Sequence, residues 1–325
     1  MDDVKVSISC LTYNHEKYIR KCLDGLVSQK TNFKYEILIH DDASTDQTAA
    51  IIQEYEKKYP EIIKPIYQVE NQYSKGVRIG RTYQYPRVRG EYIAFCEGDD
   101  YWCDENKLQK QFDAMQSDCS CTLCVHSVQK VTNCGELLDT YIKPSTLSYG
   151  IILGDQFLYN YLTGKESYPF QTSSYFIKKD ILLNMPNFRY QFKVGDVPML
   201  LWSAAKGNIL YIEGVYSCYR IGVPGSYNAK LNDKKYVIKQ IKANIDGYLA
   251  FNEDTNHKYW DFMKHKVLYS QIQYSFAIKE KISKEQKKEI KKELSIRELF
   301  TAKIKFTWLG NLLRKIRHRW IRRFS

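Results

Sequence analysis

Four acids, Glu97, Asp99, Asp100 and Asp104, fall within eight residues directly after an apolar run. Carboxylates packed this closely repel one another, so the segment calls for a cation. Oxygen-only donors suit Mg²⁺ or Mn²⁺, and Mg²⁺ is commonly held by one or two carboxylates together with phosphate oxygens of a substrate. A second cluster, Asp41, Asp42 and Asp46 with Ser44, follows another apolar run and offers acceptors for N–H or hydroxyl groups. Thr12, Tyr13 and Asn14 close a third run. Lys75, Arg78 and Arg81 are cations suited to a pyrophosphate. Farther on, Asp196 follows Gly195 at the start of an apolar helical stretch. Taken singly, each cluster reads as well as helix caps and solvated loop.

The elements between the clusters give them a common place. Val4–Leu11, Tyr35–His40, Ile62–Tyr67 and Glu91–Cys96 are continuous apolar runs, as expected of strands covered on both faces. Helical stripes separate them: Tyr18, Ile19, Cys22, Leu23, Leu26 and Val27 in the first, then a stretch ending before Pro60. Strand and helix alternate, which predicts an α/β fold with a mostly parallel central sheet flanked by helices. In such sheets ligands bind beyond the carboxyl ends of the strands. The three polar clusters sit at successive strand ends and are expected to share one crevice. A second half begins near Thr122. It carries a strand over Thr122–Val131 with one solvated face, another over Gln171–Ile177, a helix over Val197–Ala205, and strands at Ile209–Tyr211 and Val215–Ile221.

Composition narrows the field. The 325 residues are 44% apolar and 14% aromatic, enough to build a core without staples. No Gly-rich dinucleotide fingerprint follows the first strand and no P-loop is present, which disfavours a dehydrogenase or a Walker-type kinase. Cys119, Cys121, Cys124 and Cys134 with His126 do not have paired-knuckle zinc spacing, and they fit a strand of small hydrophobes better.

Three segments in register, Val6–Asn14 (VSISCLTYN), Glu36–Thr48 (EILIHDDASTDQT) and Glu91–Trp102 (EYIAFCEGDDYW), resemble the N-terminal signatures of family-2 glycosyltransferases. The resemblance spans about Val4 to Gln116. It implies the glycosyltransferase-A fold, Rossmann-like, with a nucleotide-sugar donor (UDP being the family tendency) and Mn²⁺ or Mg²⁺ as cofactor. On this resemblance Thr12, Tyr13, Asn14, Asp42, Ser44, Lys75, Arg81 and Asp99 are nucleotide-binding residues, with Tyr13 packing the base and Asp42 accepting from it. Asp99 and Asp100 match the metal and ribose acids, and Glu97 replaces the first Asp of the common form. Asp196 matches the catalytic base of an inverting single displacement onto a saccharide or lipid-linked acceptor. Trp102, Glu97 and Ser173 are candidate sugar or acceptor contacts. The bacterial-polysaccharide type is implied. Arg319-Trp320 lacks the Gln of the processive motif, so a single addition is expected.

Domain boundaries follow from composition: a catalytic domain over 1–225, divided at 120 into nucleotide-sugar and acceptor halves, and a helical basic region over 226–325. Of the net charge of +12, +11 lies in Lys279–Ser325, with 16 Lys/Arg against five Glu. Residues 302–325 hold eight Lys/Arg and no acid, with Phe306, Leu309, Leu312, Leu313, Ile316, Trp320 and Phe324 at helical spacing. A cationic amphipathic helix of this kind suits an anionic membrane surface. Nucleic acid is not an expected partner. No export signal or spanning run is evident, so a cytoplasmic protein peripheral to the inner membrane face is expected. Two other classes fit less well: a nucleotidyltransferase, which would want a Gly-rich phosphate loop, and a membrane-associated, nucleotide-sugar-binding interaction protein without activity, which would not need the full set of acids.

Overall fold

A computed structural model of the chain describes residues 3–231, 233–280, 283–295, 299 and 302. In chain order the elements are β1 (Val4–Thr12), α1 (Ile19–Val27), β2 (Lys34–Asp41), α2 (Thr48–Lys58), β3 (Ile63–Tyr67), β4 (Tyr92–Phe95), β5 (Tyr101–Trp102) and α3 (Lys107–Ser117). There follow β6 (Cys121–Val131), β7 (Leu137–Ile142), β8 (Gly150–Ile152), α4 (Gly154–Leu162), β9 (Phe176–Lys178), α5 (Lys179–Leu183), α6 (Asp196–Lys206) and β10 (Asn208–Arg220). The last are α7 (Tyr227–Lys230), α8 (Lys234–Asp254), α9 (Trp260–Ile278) and α10 (Lys284–Glu293).

These elements form two compact units. The described residues of the first fall within 1–157, 166–185 and 199–229, and those of the second within 158–165, 186–198 and 230–302. All strands lie in the first unit, in one sheet of order β3-β2-β1-β4-β9-β6-β10-β5, with β7 paired to β6 and β8 to β10. The expected parallel sheet is present as β3-β2-β1-β4. Beyond β4 the sheet is mixed: β9 runs antiparallel to both β4 and β6, while β10 is parallel to β6.

The first helices cover the sheet with the residues the stripe predicts. Ile19, Cys22, Leu23 and Leu26 of α1 are fully buried and pack with Val6, Ile8, Cys10, Ile37 and Ile39 of the strands. Each such side chain contributes about 1.5–3 kcal/mol on burial. α1 lies so close to β5 that a Cβ at Gly25 would stand 2.5 Å from the Trp102 carbonyl oxygen.

Three expectations about the second half are corrected. β6 has no solvated face, since Cys121 through Gln129 are all buried. Its polar side chains find partners inside: the Thr122 hydroxyl donates to the Ser203 carbonyl (2.8 Å), and Ser127 meets the Tyr211 hydroxyl (2.6 Å). The two strands expected near 209–221 are one strand, β10, whose register against β6 shifts between Tyr211 and Val215. Gly214, at φ +121°, accommodates that irregularity. The predicted strand at 171–177 begins as a 3₁₀ turn, Thr172–Ser174, and only then extends as β9.

In the second unit, α8 and α9 build a small aromatic core. Phe192 meets Tyr248 edge-on at 5.4 Å, and Phe188 lies 5.2 Å from Phe251. Lys266 donates to the Tyr161 carbonyl at 2.9 Å. Apart from Ala302, the amphipathic stretch expected over 302–325 lies outside the described residues. Among the described residues no helix is long and apolar enough to cross a membrane.

Candidate active site

The three polar segments do meet at the carboxyl ends of adjacent parallel strands. Thr12 pairs in register with Asp41, and the Asp42 N–H donates to the Thr12 carbonyl at 3.0 Å. From the other side, the Gly98 N–H donates to the Leu11 carbonyl at 2.9 Å. Glycine is required there, because a Cβ would stand 2.6 Å from the Thr12 hydroxyl. The acid loop after β4 therefore lies directly on the end of β1.

Reciprocal hydrogen bonds join the loops after β1 and β2. Asn14, held at φ 55°, donates its N–H to the Ser44 hydroxyl (2.9 Å), and its side-chain oxygen accepts from the Thr45 N–H (2.8 Å). The Asp46 carboxylate accepts from the N–H groups of Glu16 and Thr48, while Glu16 accepts from the Gln47 N–H. His15 touches the Thr12 hydroxyl through Nδ1 at 3.1 Å. Burial lowers the His15 pKa, and Asp99, Asp46 and Asp41 oppose that shift, so its ring feels carboxylates of both acidic loops. His15 thus belongs to the junction and is not simply a surface-loop residue. Tyr13, at 43% exposure, stands open at the rim.

Asp42 is buried, and its carboxylate accepts the N–H groups of Gln72 (2.8 Å) and Tyr73 (3.0 Å). It thereby fixes the 71–76 segment against the end of β2. Lys75, in that segment, is paired with Glu70. Arg81 lines a surface cleft of about 500 Å³ with Tyr85, Pro86, Val88, Lys179 and Leu183.

In the acid loop, Glu97 and Asp99 are partly exposed and Asp100 is buried. One Asp100 oxygen accepts from the Arg220 N–H (2.9 Å), the other from the Gln171 side-chain amide (3.2 Å). Burial pushes the Asp100 carboxyl well up, and neighbouring Asp99 and Glu97 push it further in the same direction. A cation beside the loop would relieve that charge crowding, and the oxygen-only donor set suits Mg²⁺ or Mn²⁺. Among the described residues no group of three or more His, Cys, Asp or Glu is placed to hold a metal unaided. Mg²⁺ is commonly held by one or two carboxylates together with water and substrate phosphate.

Two of the candidate sugar or acceptor contacts are buried in the structure. Trp102 does not offer an open platform: it is buried, its indole N–H donates to the Phe95 carbonyl (3.3 Å), and the Lys107 ammonium sits 3.9 Å from its ring centre. Ser173 is fully buried and its hydroxyl bonds that of Ser217 at 2.8 Å. Trp102 packs directly behind the acid loop, and the Ser173 hydroxyl is taken up by Ser217 of β10. Asp196 opens α6 in the second unit, and its carboxylate accepts the Val197 N–H at 2.8 Å. Sequence reading missed Gln171 and Arg220, the two residues that grip Asp100, because neither carries a motif and only the strand register brings them there.

The chain matches the description "Glycosyl transferase family 2" over residues 7–180. It is similar to an uncharacterized protein of Mycobacterium tuberculosis, 44% identical over 39% of this chain and 36% of that protein. The putative teichuronic acid biosynthesis glycosyltransferase TuaG of Bacillus subtilis is 34% identical over 44% of this chain and 55% of its own length. The chain thus spans between about a third and about half of the length of these two relatives. A crystal structure of S. aureus TarS in complex with UDP-GlcNAc superposes with a TM-score of 0.56 at 14% identity, covering 93% of this chain and 91% of that one. That likeness bears out the glycosyltransferase-A fold with helices after the sheet.

Proposed function

The chain belongs to glycosyl transferase family 2, and from that membership we propose that it is a metal-dependent inverting glycosyltransferase. It moves one sugar from a nucleoside-diphosphate donor, UDP-linked in our reading, to a hydroxyl of a saccharide or lipid-linked acceptor. The observation that carries this reading is the meeting of the Thr12–Glu16, Asp41–Asp46 and Glu97–Asp100 segments at the ends of β1, β2 and β4. Ligands in open α/β sheets bind at that edge.

Tyr13, at the exposed rim, suits packing against the base, with Thr12, Asn14, Ser44 and the 71–76 segment held by Asp42 forming the nucleotide side. Asp99 and Asp100 would hold Mg²⁺ or Mn²⁺, which when bound supplies charge neutralisation for the leaving diphosphate. Asp196 takes the proton of the acceptor hydroxyl as its oxygen attacks the anomeric carbon. The bond to the diphosphate breaks in the same displacement, so an α-linked donor yields a β-linked product. The basic tail would keep the enzyme at an anionic membrane surface on the cytoplasmic side, where a lipid-linked acceptor would lie.

The deciding experiment is calorimetric titration of a nucleoside-diphosphate panel with and without Mn²⁺, followed by assay of donor-sugar hydrolysis. Metal-dependent binding of one nucleotide, with release of its diphosphate from the sugar conjugate, is the expected result. Binding of no nucleotide under either condition would overturn the reading.

A further inference from the structure

Arg220 ends β10, and its N–H donates to Asp100. The residue is only 5% exposed. The guanidinium carbon lies 5.1 Å from the ring centres of both Tyr18 and Tyr101, so the cation is held between two aromatic faces. One terminal nitrogen reaches the Asn133 carbonyl at 3.5 Å, a long contact, and among the described residues the buried Nε has no hydrogen-bond partner. Among the described residues no carboxylate forms an ion pair with it. Asp100 feels its charge but is bonded only to its main chain.

A guanidinium stays protonated under all physiological conditions. Burying it without a carboxylate is costly, and an orphaned buried N–H adds to that cost. Lys21 places a second cation against the same ring, its ammonium 4.0 Å from the Tyr101 centre, which adds like charge and no counter-ion. A preformed cation with a free N–H, fixed by two rings beside a buried acid, is what an anion receptor requires. The planar fork of donors matches phosphate oxygens.

We infer that Arg220 is an anion receptor for a phosphate group that binds beside the acid loop, and in the reading proposed above that group is the diphosphate of the donor. The assignment rests on that reading only for the name of the ligand; the receptor itself rests on geometry. It also shifts the phosphate contact away from Lys75, which is paired with Glu70.

The test compares wild type with Arg220→Met and Arg220→Lys. Mn²⁺ alone, Mn²⁺ with inorganic pyrophosphate, and Mn²⁺ with each of four nucleoside diphosphates are titrated by calorimetry. Arg220→Met should bind Mn²⁺ alone within twofold of wild type, yet lose at least tenfold in affinity for pyrophosphate and for the preferred diphosphate. Arg220→Lys should recover part of that loss. If Mn²⁺ affinity falls by the same factor as diphosphate affinity, Arg220 acts only by positioning Asp100 and the inference is overturned. Unchanged diphosphate affinity in Arg220→Met overturns it as well. If Arg220→Met does not fold, the same ratio measured on Arg220→Lys decides. Arginine-dependent pyrophosphate binding without selection of any nucleotide would leave the receptor standing and sink the transferase reading. Donor hydrolysis with diphosphate affinity retained in Arg220→Met would do the reverse.

Discussion

Asp100 is shut away from water while two further acids stand beside it, and it is gripped by one main-chain N–H and one amide. Asp100→Ala should abolish metal-dependent nucleotide binding, whereas Asp196→Asn should leave that binding intact and cut turnover by about 10²- to 10⁴-fold, the range for a lost general base. Turnover of Asp196→Asn close to wild type would remove it from the base role. Lys107 gives a pH signature of the support beneath the loop. Its ammonium is buried, donates to the Gln111 side-chain oxygen at 2.6 Å, and has its pKa pulled down to about 7 by burial. The unfolded chain keeps the ordinary value near 10.5, so between those limits it binds more protons than the folded state. Stability from this residue therefore rises with pH across that window, by up to about 1.4 kcal/mol per unit. Urea melts at pH 7 and 8.5 should show the gain in wild type and a flatter response in Lys107→Met. At this scale the acids were legible in the sequence because charge crowding within one short segment is a local signal. Arg220 was not, because its meaning comes from a neighbour 120 positions away.

What brings such residues together is the register of a few strands. β5 is only two residues long, yet it pairs Tyr101 with Cys218 and Trp102 with Ser217, and this sets Arg220 against Asp100. A two-residue strand has no periodicity to read, so the sequence hid it. The long apolar runs of β1, β2 and β4 were readable since burial on both faces leaves an unbroken hydrophobic stretch. β6 misled because its polar residues suggested a wet face, while the Ser203 carbonyl of α6 and the Tyr211 hydroxyl of β10 satisfy them inside. The contact between β1 and the acid loop is testable at Gly98. Gly98→Ala places a methyl 2.6 Å from the Thr12 hydroxyl, so the loop must move off the strand end. We expect a lower melting temperature, together with a loss of at least tenfold in Mn²⁺-dependent nucleotide affinity measured by calorimetry. Unchanged affinity would mean that the loop need not rest on β1 to bind.

On the scale of the whole chain, charge is distributed as if two tasks were separated. The residues before Lys279 are nearly neutral, and almost the entire net charge of +12 follows them. A soluble transferase acting on free sugars gains nothing from such a tail, whereas one that must meet a lipid-linked acceptor gains residence at the surface where that acceptor lies. Each Lys or Arg near an anionic leaflet contributes about 1 kcal/mol, and in the proposed membrane role the Trp and Phe residues among the eight cations of 302–325 would add apolar insertion. Full-length protein should therefore float with vesicles of mixed phosphatidylglycerol and phosphatidylcholine, bind less as salt is raised, and ignore vesicles of phosphatidylcholine alone. A chain ending at Thr301 should lose the flotation but keep the nucleotide affinity of the intact protein, since the strand-end loops are all in the first unit. Equal flotation of the two chains would place the tail on its own protein instead, and the membrane would drop out of the account while the chemistry at the strand ends stood.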